Sequence, residues 1–305
     1  MRKIIGIGET VFDIIFRNGQ PRAAKAGGSV LNSVVSMGRV GLPVSFVSEF
    51  GKDDVGSIID DFLIENGVNT SSVHRFEDGK TALALAFLDE KSDAHYSFYQ
   101  HYPADRLKIR NLVAATDDII LCGSFYAIWQ DIRSTFRDLI MSAKKNGAMV
   151  IYDPNFRSSH LAELKSLKPM IIENMKMADL VRGSNEDFAN IFGTGSIDEA
   201  YEAINPYCNV LVYTASVEGV YVRTPSFKGN FPVRKIDPVS TIGAGDNFNA
   251  GMITSIYKKQ ITRDKIESLG EKEWTGIISV AVDFASHVCL SYENYISHEF
   301  AATIK

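Results

Sequence analysis

The chain predicts an α/β fold, a three-layer α/β/α core with a mostly parallel sheet and a small β-sheet lid. Apolar runs of strand length alternate with amphipathic helical stretches over nearly all 305 residues, the pattern of a sheet covered by helices on both faces. No internal repeat or low-complexity linker interrupts this rhythm, so residues 1–305 read as one domain. One interval, Thr81 to Gln100, carries two extended runs with no helix between them.

Each element follows from its local pattern. Lys3 to Gly8 is a short apolar run that reads as a buried strand. Ser29 to Val40 has helical spacing, and Gly41 with Pro43 beyond it stops the helix. Val44 to Ser48 is a strand, and Asp53 caps a helix that ends at Gly67. The alternation continues with the strand Ile119 to Cys122, a helix from Trp129 to Lys145, and the strand Met149 to Tyr152. Leu180 to Arg182 is a strand, a helix opens at Asn185, and Val210 to Tyr213 is a strand. Asn247 to Lys258 is helical, and Trp274 to Leu290 forms a final helix.

In the exceptional interval, Thr81 to Leu88 and Ala94 to Gln100 are joined by the polar stretch Asp89 to Asp93, which reads as a hairpin turn. Leu83, Leu85 and Phe87 fall on one face, and Ala82, Ala84 and Ala86 on the other. Two apolar faces need two covers. The core supplies one and a second copy of the chain the other, so a homodimer through a lid at about 10–25 and 76–104 is expected.

Composition narrows the function classes. Hydrophobic residues make up 45% and charged residues 23%, the balance of a globular protein. A net charge of −5 argues against nucleic acid or an acidic membrane as partner. Cys122, Cys208 and Cys289 are odd in number and widely spaced, which speaks against a disulfide framework or zinc site. Met1-Arg2-Lys3 leads into a run too short for a secretory leader, and no stretch reaches membrane-spanning length. A cytoplasmic setting is expected.

The strongest chemical signal is Gly243-Ala244-Gly245-Asp246, which runs straight into a helix. Glycines bring backbone amides close to a ligand, and a helix N-terminus favours an anion. A carboxylate at the same place supplies a base, and the pair is what phosphoryl transfer to an alcohol requires. Alone, the pattern is equally a turn with a capping aspartate. Gly27-Gly28 followed by Asn32 offers close backbone approach plus a donor and an acceptor for a polyhydroxylated ligand, or simply a tight strand-to-helix turn. Asp13 follows the first strand, where carboxylates of open α/β sheets face the ligand crevice. Asp153-Pro154-Asn155-Phe156-Arg157 ends a strand and turns Asn155 and Arg157 towards that crevice, or pairs Arg157 with an aspartate to hold the loop. Gly6-Ile7-Gly8 is no dinucleotide fingerprint, because the third glycine position is Val11. His95 and His101 share a hairpin face but lack the further ligands a metal needs.

Together, the Gly27-Gly28/Asn32, Asp153 to Arg157 and Gly243 to Asp246 elements, in this order and spacing, resemble the ribokinase-like (PfkB) carbohydrate kinases. The resemblance spans nearly the whole chain. Thr81 to Ala84 through Tyr99 to Asp105 is most similar to fructokinases, with 2-keto-3-deoxygluconate kinases close behind. It implies ATP with Mg2+ as co-reactants and Asp246 as the base for a primary sugar hydroxyl. Gly243, Ala244 and Gly245 would form the anion hole through their amides. Asp13, Gly27, Gly28, Asn32, Asn155 and Arg157 would lie around the sugar. Asn185, Thr214, Ser216, Gly219 and Thr241 would meet the nucleotide, with Glu186 reaching magnesium through water. The helix Trp274 to Leu290 would wall the adenine. Gln100 and His101 on the lid would bear on the choice of sugar. Fructose or a related ketose is the expected substrate. A keto-deoxy acid, ribose, or a sugar-binding regulator of kinase ancestry with little turnover are the alternatives.

Three positions depart from the family pattern. Ser240 stands where an aspartate usually organises a monovalent-cation site. Phe188 replaces the glutamate of Asn-x-x-Glu, and Ser216 replaces a glycine of the nucleotide loop Thr214 to Gly219. All three lie on the nucleotide and metal side.

Overall fold

In the computed structural model, which describes residues 2–88, 94–109 and 113–304, alternate residues of each central strand enter different cores. Ile4, Ile119, Leu121, Met149, Ile151 and Leu180 join one apolar cluster. Their neighbours Ile5, Ile120, Cys122, Val150, Tyr152 and Val181 join the other. A strand's two-residue period makes this unavoidable once both faces are covered.

The chain opens on β1 (Ile4–Ile7), β2 (Val11–Arg17) and β3 (Gln20–Gly27), then enters α1 (Ser29–Arg39). Next come β4 (Val44–Val47), β5 (Glu49–Gly51), α2 (Asp54–Glu65), β6 (Val68–Asn69) and β7 (His74–Phe76). The strands β8 (Lys80–Leu88) and β9 (Ala94–His101) precede β10 (Ile119–Gly123), α3 (Arg133–Lys145), β11 (Met149–Asp153) and α4 (Leu164–Met177). The remainder is β12 (Leu180–Ser184), α5 (Asn185–Phe192), α6 (Ile197–Ile204), β13 (Leu211–Thr214), β14 (Val220–Arg223) and β15 (Lys228–Phe231). Three helices close the fold: α7 (Ala244–Lys258), α8 (Glu271–Cys289) and α9 (His298–Ile304).

A nine-stranded sheet runs β15-β14-β13-β12-β11-β10-β1-β4-β6. It is parallel from β13 to β6 and antiparallel at β13–β14 and β14–β15. Helices α1, α7 and α8 cover one face and α3 to α6 the other. Because β4 and β10 flank β1 on opposite sides, the strand order reverses there. Open α/β sheets bind ligands at such a reversal, beyond the carboxyl ends of the strands. The caps behave as their sequences predict: the Asp53 side chain accepts from Gly56 N at 2.8 Å, and Gly41 takes φ +86° after α1.

The small sheet has the order β3-β2-β8-β9, with β2 and β8 parallel and the outer pairs antiparallel. Its faces are unequal. Ala82, Ala84 and Ala86 are buried, whereas Leu83 and Leu85 are half-buried. Phe87 is 40% exposed and stacks on Phe16 at 5.1 Å. The expected turn at 89–93 lies outside the described residues.

Three expectations need correction. Helix α3 starts at Arg133, not Trp129, and two 3-10 turns precede it, Phe125–Ile128 and Gln130–Ile132. Trp129 is extended between them, where its ring meets Tyr102 edge-on and the Arg106 guanidinium at 4.3 Å. Those tertiary contacts override helical continuation. Helix α8 is not the last, since α9 follows; seven residues give too little periodicity to see. The antiparallel β14 and β15 were also too short to read. Asp13 sits within β2, in the part of the chain expected to form the lid, opposite Lys25 of β3. Among the described residues, no helix is long and apolar enough to cross a membrane.

Candidate active site

The glycine turn before α7 is shaped by close packing. Gly243 takes φ +78°, and a Cβ there would fall 3.0 Å from the Asn294 carbonyl oxygen. A Cβ on Gly245 would fall 3.0 Å from a guanidinium nitrogen of Arg182. The Asn247 N–H donates to the Gly243 carbonyl at 2.9 Å. The amides of Gly245 and Asp246 precede that first helical bond and have no acceptor within the helix. The Ala244 amide departs from expectation: it donates to the Thr241 carbonyl at 3.2 Å and closes the turn.

Asp246 is held from α1. Asn32 Nδ2 donates to Asp246 Oδ2 at 2.8 Å, and Ser33 Oγ donates to the Asp246 carbonyl at 2.7 Å. A further bond, Ser36 Oγ to Asn247 Oδ1 at 2.6 Å, locks the two helices together. Asn32 is buried, and its own Oδ1 has no partner among the described residues. Burial pushes the Asp246 carboxyl up to about 6; the Asn32 bond opposes this, the Asp153 charge adds to it, and Arg157 and Arg182 oppose it. A carboxylate so poised suits a general base near neutral pH.

Asp13 lies against Gly27, where any Cβ would collide with its carboxylate. Burial raises Asp13 to about 6 against the pull of Lys25. Gly28, at φ +134°, passes so close to the Glu9 carbonyl that a side chain would not fit. The sequence reading had the glycines and Asp13 but missed Glu9.

At the strand reversal lies a cleft of about 160 Å³, lined by Glu9, Phe98, Ser124, Asn155, Arg157 and His160, among others. Asn155 adopts φ +41° and its amide donates to Asp153 Oδ1 at 3.0 Å, which presents the loop after β11 to the cleft. Asn155 and Arg157 therefore face the crevice as expected. Glu9 Oε1 accepts from Gln100 Nε2 at 3.2 Å and from the Tyr102 hydroxyl at 3.3 Å. Burial lifts Glu9 to about 7, with Tyr102 and Arg106 opposing and Glu49 adding. His101, by contrast, is exposed opposite Lys80.

A buried polar layer supports the turn from below. Asp153 Oδ2 accepts from Arg182 at 2.8 Å and from Asn249 Nδ2 at 2.6 Å. Arg182 also donates to Thr214 Oγ1 at 2.9 Å, and its guanidinium lies 5.2 Å from the Phe248 ring centroid. Sequence reasoning missed Arg182 and Asn249. The available signal was a lone charge inside the apolar strand Leu180–Ser184.

A model of the pfkB family carbohydrate kinases matches residues 1–299. The chain belongs to that family. It is 28% identical over 272 residues to a probable fructokinase-7 of Arabidopsis thaliana, covering 83% of this chain and 78% of that protein. The fold is similar to a fructokinase of Vibrio cholerae O395 in fructose-, ADP- and calcium-bound form (TM-score 0.84, 21% identity, 100% and 99% covered). It is also similar to an aminoimidazole riboside kinase of Salmonella enterica (TM-score 0.83, 17% identity, 99% of each chain covered). This carbohydrate kinase thus has the ribokinase-like fold, is most similar to fructokinases, and belongs to enzymes that use ATP with a divalent metal.

Of the residues expected at the nucleotide, Thr214 belongs to this network through Arg182, whereas Asn185, Glu186, Ser216 and Thr241 are exposed. Asn185 and Glu186 lie in the first turn of α5. Asp187 is committed to structure, accepting from the Ser184 amide at 2.7 Å, the Ser184 hydroxyl at 2.6 Å and the Phe156 amide. Phe188 is fully buried beneath Gly183 and stacks on Tyr213 at 5.7 Å. Ser216 is exposed at φ +47° and Gly219 takes φ +119°. Thr241 is exposed, and the Ser240 amide donates to the Cys289 carbonyl at the end of α8. Among the described residues no group of three or more His, Cys, Asp or Glu could hold a metal. Magnesium keeps water ligands and binds mainly through substrate phosphates with one or two carboxylates.

Proposed function

We propose that this kinase transfers the γ-phosphate of ATP to a primary hydroxyl of a small sugar, fructose or a related ketose, with Asp246 as base. The observation that carries this is the Asn32–Asp246 bond of 2.8 Å at the head of α7. It aims a carboxylate lifted to about 6 beside helix amides that have no helical acceptor. Asp246 takes the hydroxyl proton as the sugar oxygen attacks phosphorus. The amides of Gly243 and Gly245, with the Arg182 charge beneath them, meet the negative charge on the transferring group.

Asp13 and Asn32 accept and donate to sugar hydroxyls, Gly27 and Gly28 let the sugar approach, and Asn155 and Arg157 border the acceptor. A divalent ion bound with the nucleotide supplies charge neutralisation for its phosphates, and Glu186 would hold it through water. Asn185, Thr214, Ser216, Gly219 and Thr241 border the nucleotide.

The small sheet serves as a lid on a single kinase domain and excludes water on closing. Its half-exposed row of Ile14, Phe16, Leu83, Leu85 and Phe87 supports a homodimer; a monomer in sedimentation at micromolar concentration would count against it. Cys122, Cys208 and Cys289, each buried and unpaired, support a cytoplasmic setting.

An ADP-release assay over a sugar panel tests the reading. Release with a neutral ketose is expected. Sugar binding without ADP release, with ATP or with GTP, would sink it.

A further inference from the structure

The carboxylate of Glu9 has no part in the reading so far, yet it occupies the strand reversal itself. It follows β1 directly, and its carbonyl abuts Gly28. Its side chain lines the same cleft as Asn155 and Arg157. Two donors, Gln100 Nε2 at the end of β9 and the Tyr102 hydroxyl, both bind Oε1. They fix the carboxyl plane from the small sheet and the segment after it. Oε2 has no hydrogen-bond partner among the described residues. Arg106, whose charge acts on Glu9, is committed elsewhere: it pairs with buried Glu49 and is sandwiched between Tyr102 at 3.6 Å and Trp129 at 4.3 Å.

An oriented carboxylate with a vacant acceptor in a cleft of this size binds hydroxyl donors. In its ionised form it also repels a second carboxylate, and repulsion is how a site rejects a competitor. The two groups that bond Glu9 directly, Gln100 and Tyr102, are neutral and do not cancel this charge. We propose that Glu9 is a specificity-determining residue that binds a hydroxyl of a neutral sugar through Oε2 and rejects sugar acids. This rests on the cleft being the sugar site of the proposed kinase, and it separates the ketose from the keto-deoxy acid among the candidate substrates.

The test compares the full-length wild type, Glu9→Gln and Gln100→Arg. For each, calorimetry gives sugar affinity and an ADP-release assay gives kcat and KM, using the best neutral ketose of the panel and 2-keto-3-deoxygluconate. Wild type is expected to favour the neutral sugar by about tenfold or more. Glu9→Gln keeps an oxygen for Tyr102 and Gln100 but removes the charge. It should weaken the neutral sugar about tenfold, mainly in KM, and narrow the preference. Gln100→Arg, at an exposed position, should improve the sugar acid about tenfold by pairing with Glu9.

A preference unchanged in both variants, with normal turnover, overturns the proposal and leaves the kinase reading intact. A preference that shifts as expected in binding, without any ADP release, upholds Glu9 and overturns the kinase reading. A chain that binds neither sugar overturns both.

Discussion

On the proposed sugar side the carboxylates are half-buried and face partners, while on the proposed nucleotide side Asn185, Glu186, Ser216 and Thr241 stand in solvent. Asp246 is held by Asn32, Asp13 lies opposite Lys25, and Glu9 accepts from Gln100 and Tyr102. The difference separates two tasks. A base must be oriented and partly desolvated before its substrate arrives, because its pKa and direction set the rate. Loops that follow phosphates gain their order from a highly charged ligand. Of the departures from the family pattern, Ser216 is exposed, whereas Phe188 is buried against Gly183 and Tyr213.

The largest blow to this contrast would come at Asp246. Asp246→Asn should lower kcat about a thousandfold with little change in sugar affinity. A near-normal rate would remove Asp246 as base. The same substitution should raise stability at pH 8. Burial moves the carboxyl from 3.8 to about 6 in the fold, so the stabilisation from holding its proton is complete below 3.8 and lost as pH rises through 6. Calorimetry should therefore show a higher Tm for the variant at pH 8 and no gain at pH 3.5.

Asn32→Ala comes next. Losing a hydrogen bond to a charged group should cost about ten- to a hundredfold in kcat. Because that bond favours the ionised form, its loss should also move the acid limb of the pH–rate profile upward from its wild-type position near 6. A limb that stays in place would show that Asn32 only packs the two helices together.

On the nucleotide side the effects should be small. Glu186→Gln should raise the magnesium concentration for half-maximal rate about threefold, since an exposed carboxylate contributes little. A change as large as that of Asn32→Ala would mean that the two sides are equally built. Ser216→Gly should relieve the left-handed backbone at φ +47° and lower the KM for ATP about twofold. An unchanged or higher KM would show that the loop accommodates the serine without cost.

Much of this was readable in the residues, and the misses share one cause. The α/β order, the caps at Asp53 and Gly41 and the glycine turn before α7 are local patterns. Asp13 follows the first strand as its pattern predicts, but its pairing opposite Lys25 depends on β3 and is not marked locally. Trp129 was read into a helix because only its contacts with Tyr102 and Arg106 hold it extended. Ala244 was counted as an anion-binding amide, although its N–H closes the turn.

The sequence alone determined which strands bury both faces, where the chain must turn, and that a carboxylate follows two glycines at a helix start. Tertiary structure decided the rest. It brought Asn32 to Asp246 across 214 residues of chain, placed Arg182 under Gly245, and left Glu9 with an open oxygen in the cleft. These depend on burial and on donors supplied from distant segments. A carboxylate's pKa and direction are set by everything packed around it, and no window of sequence contains that sum.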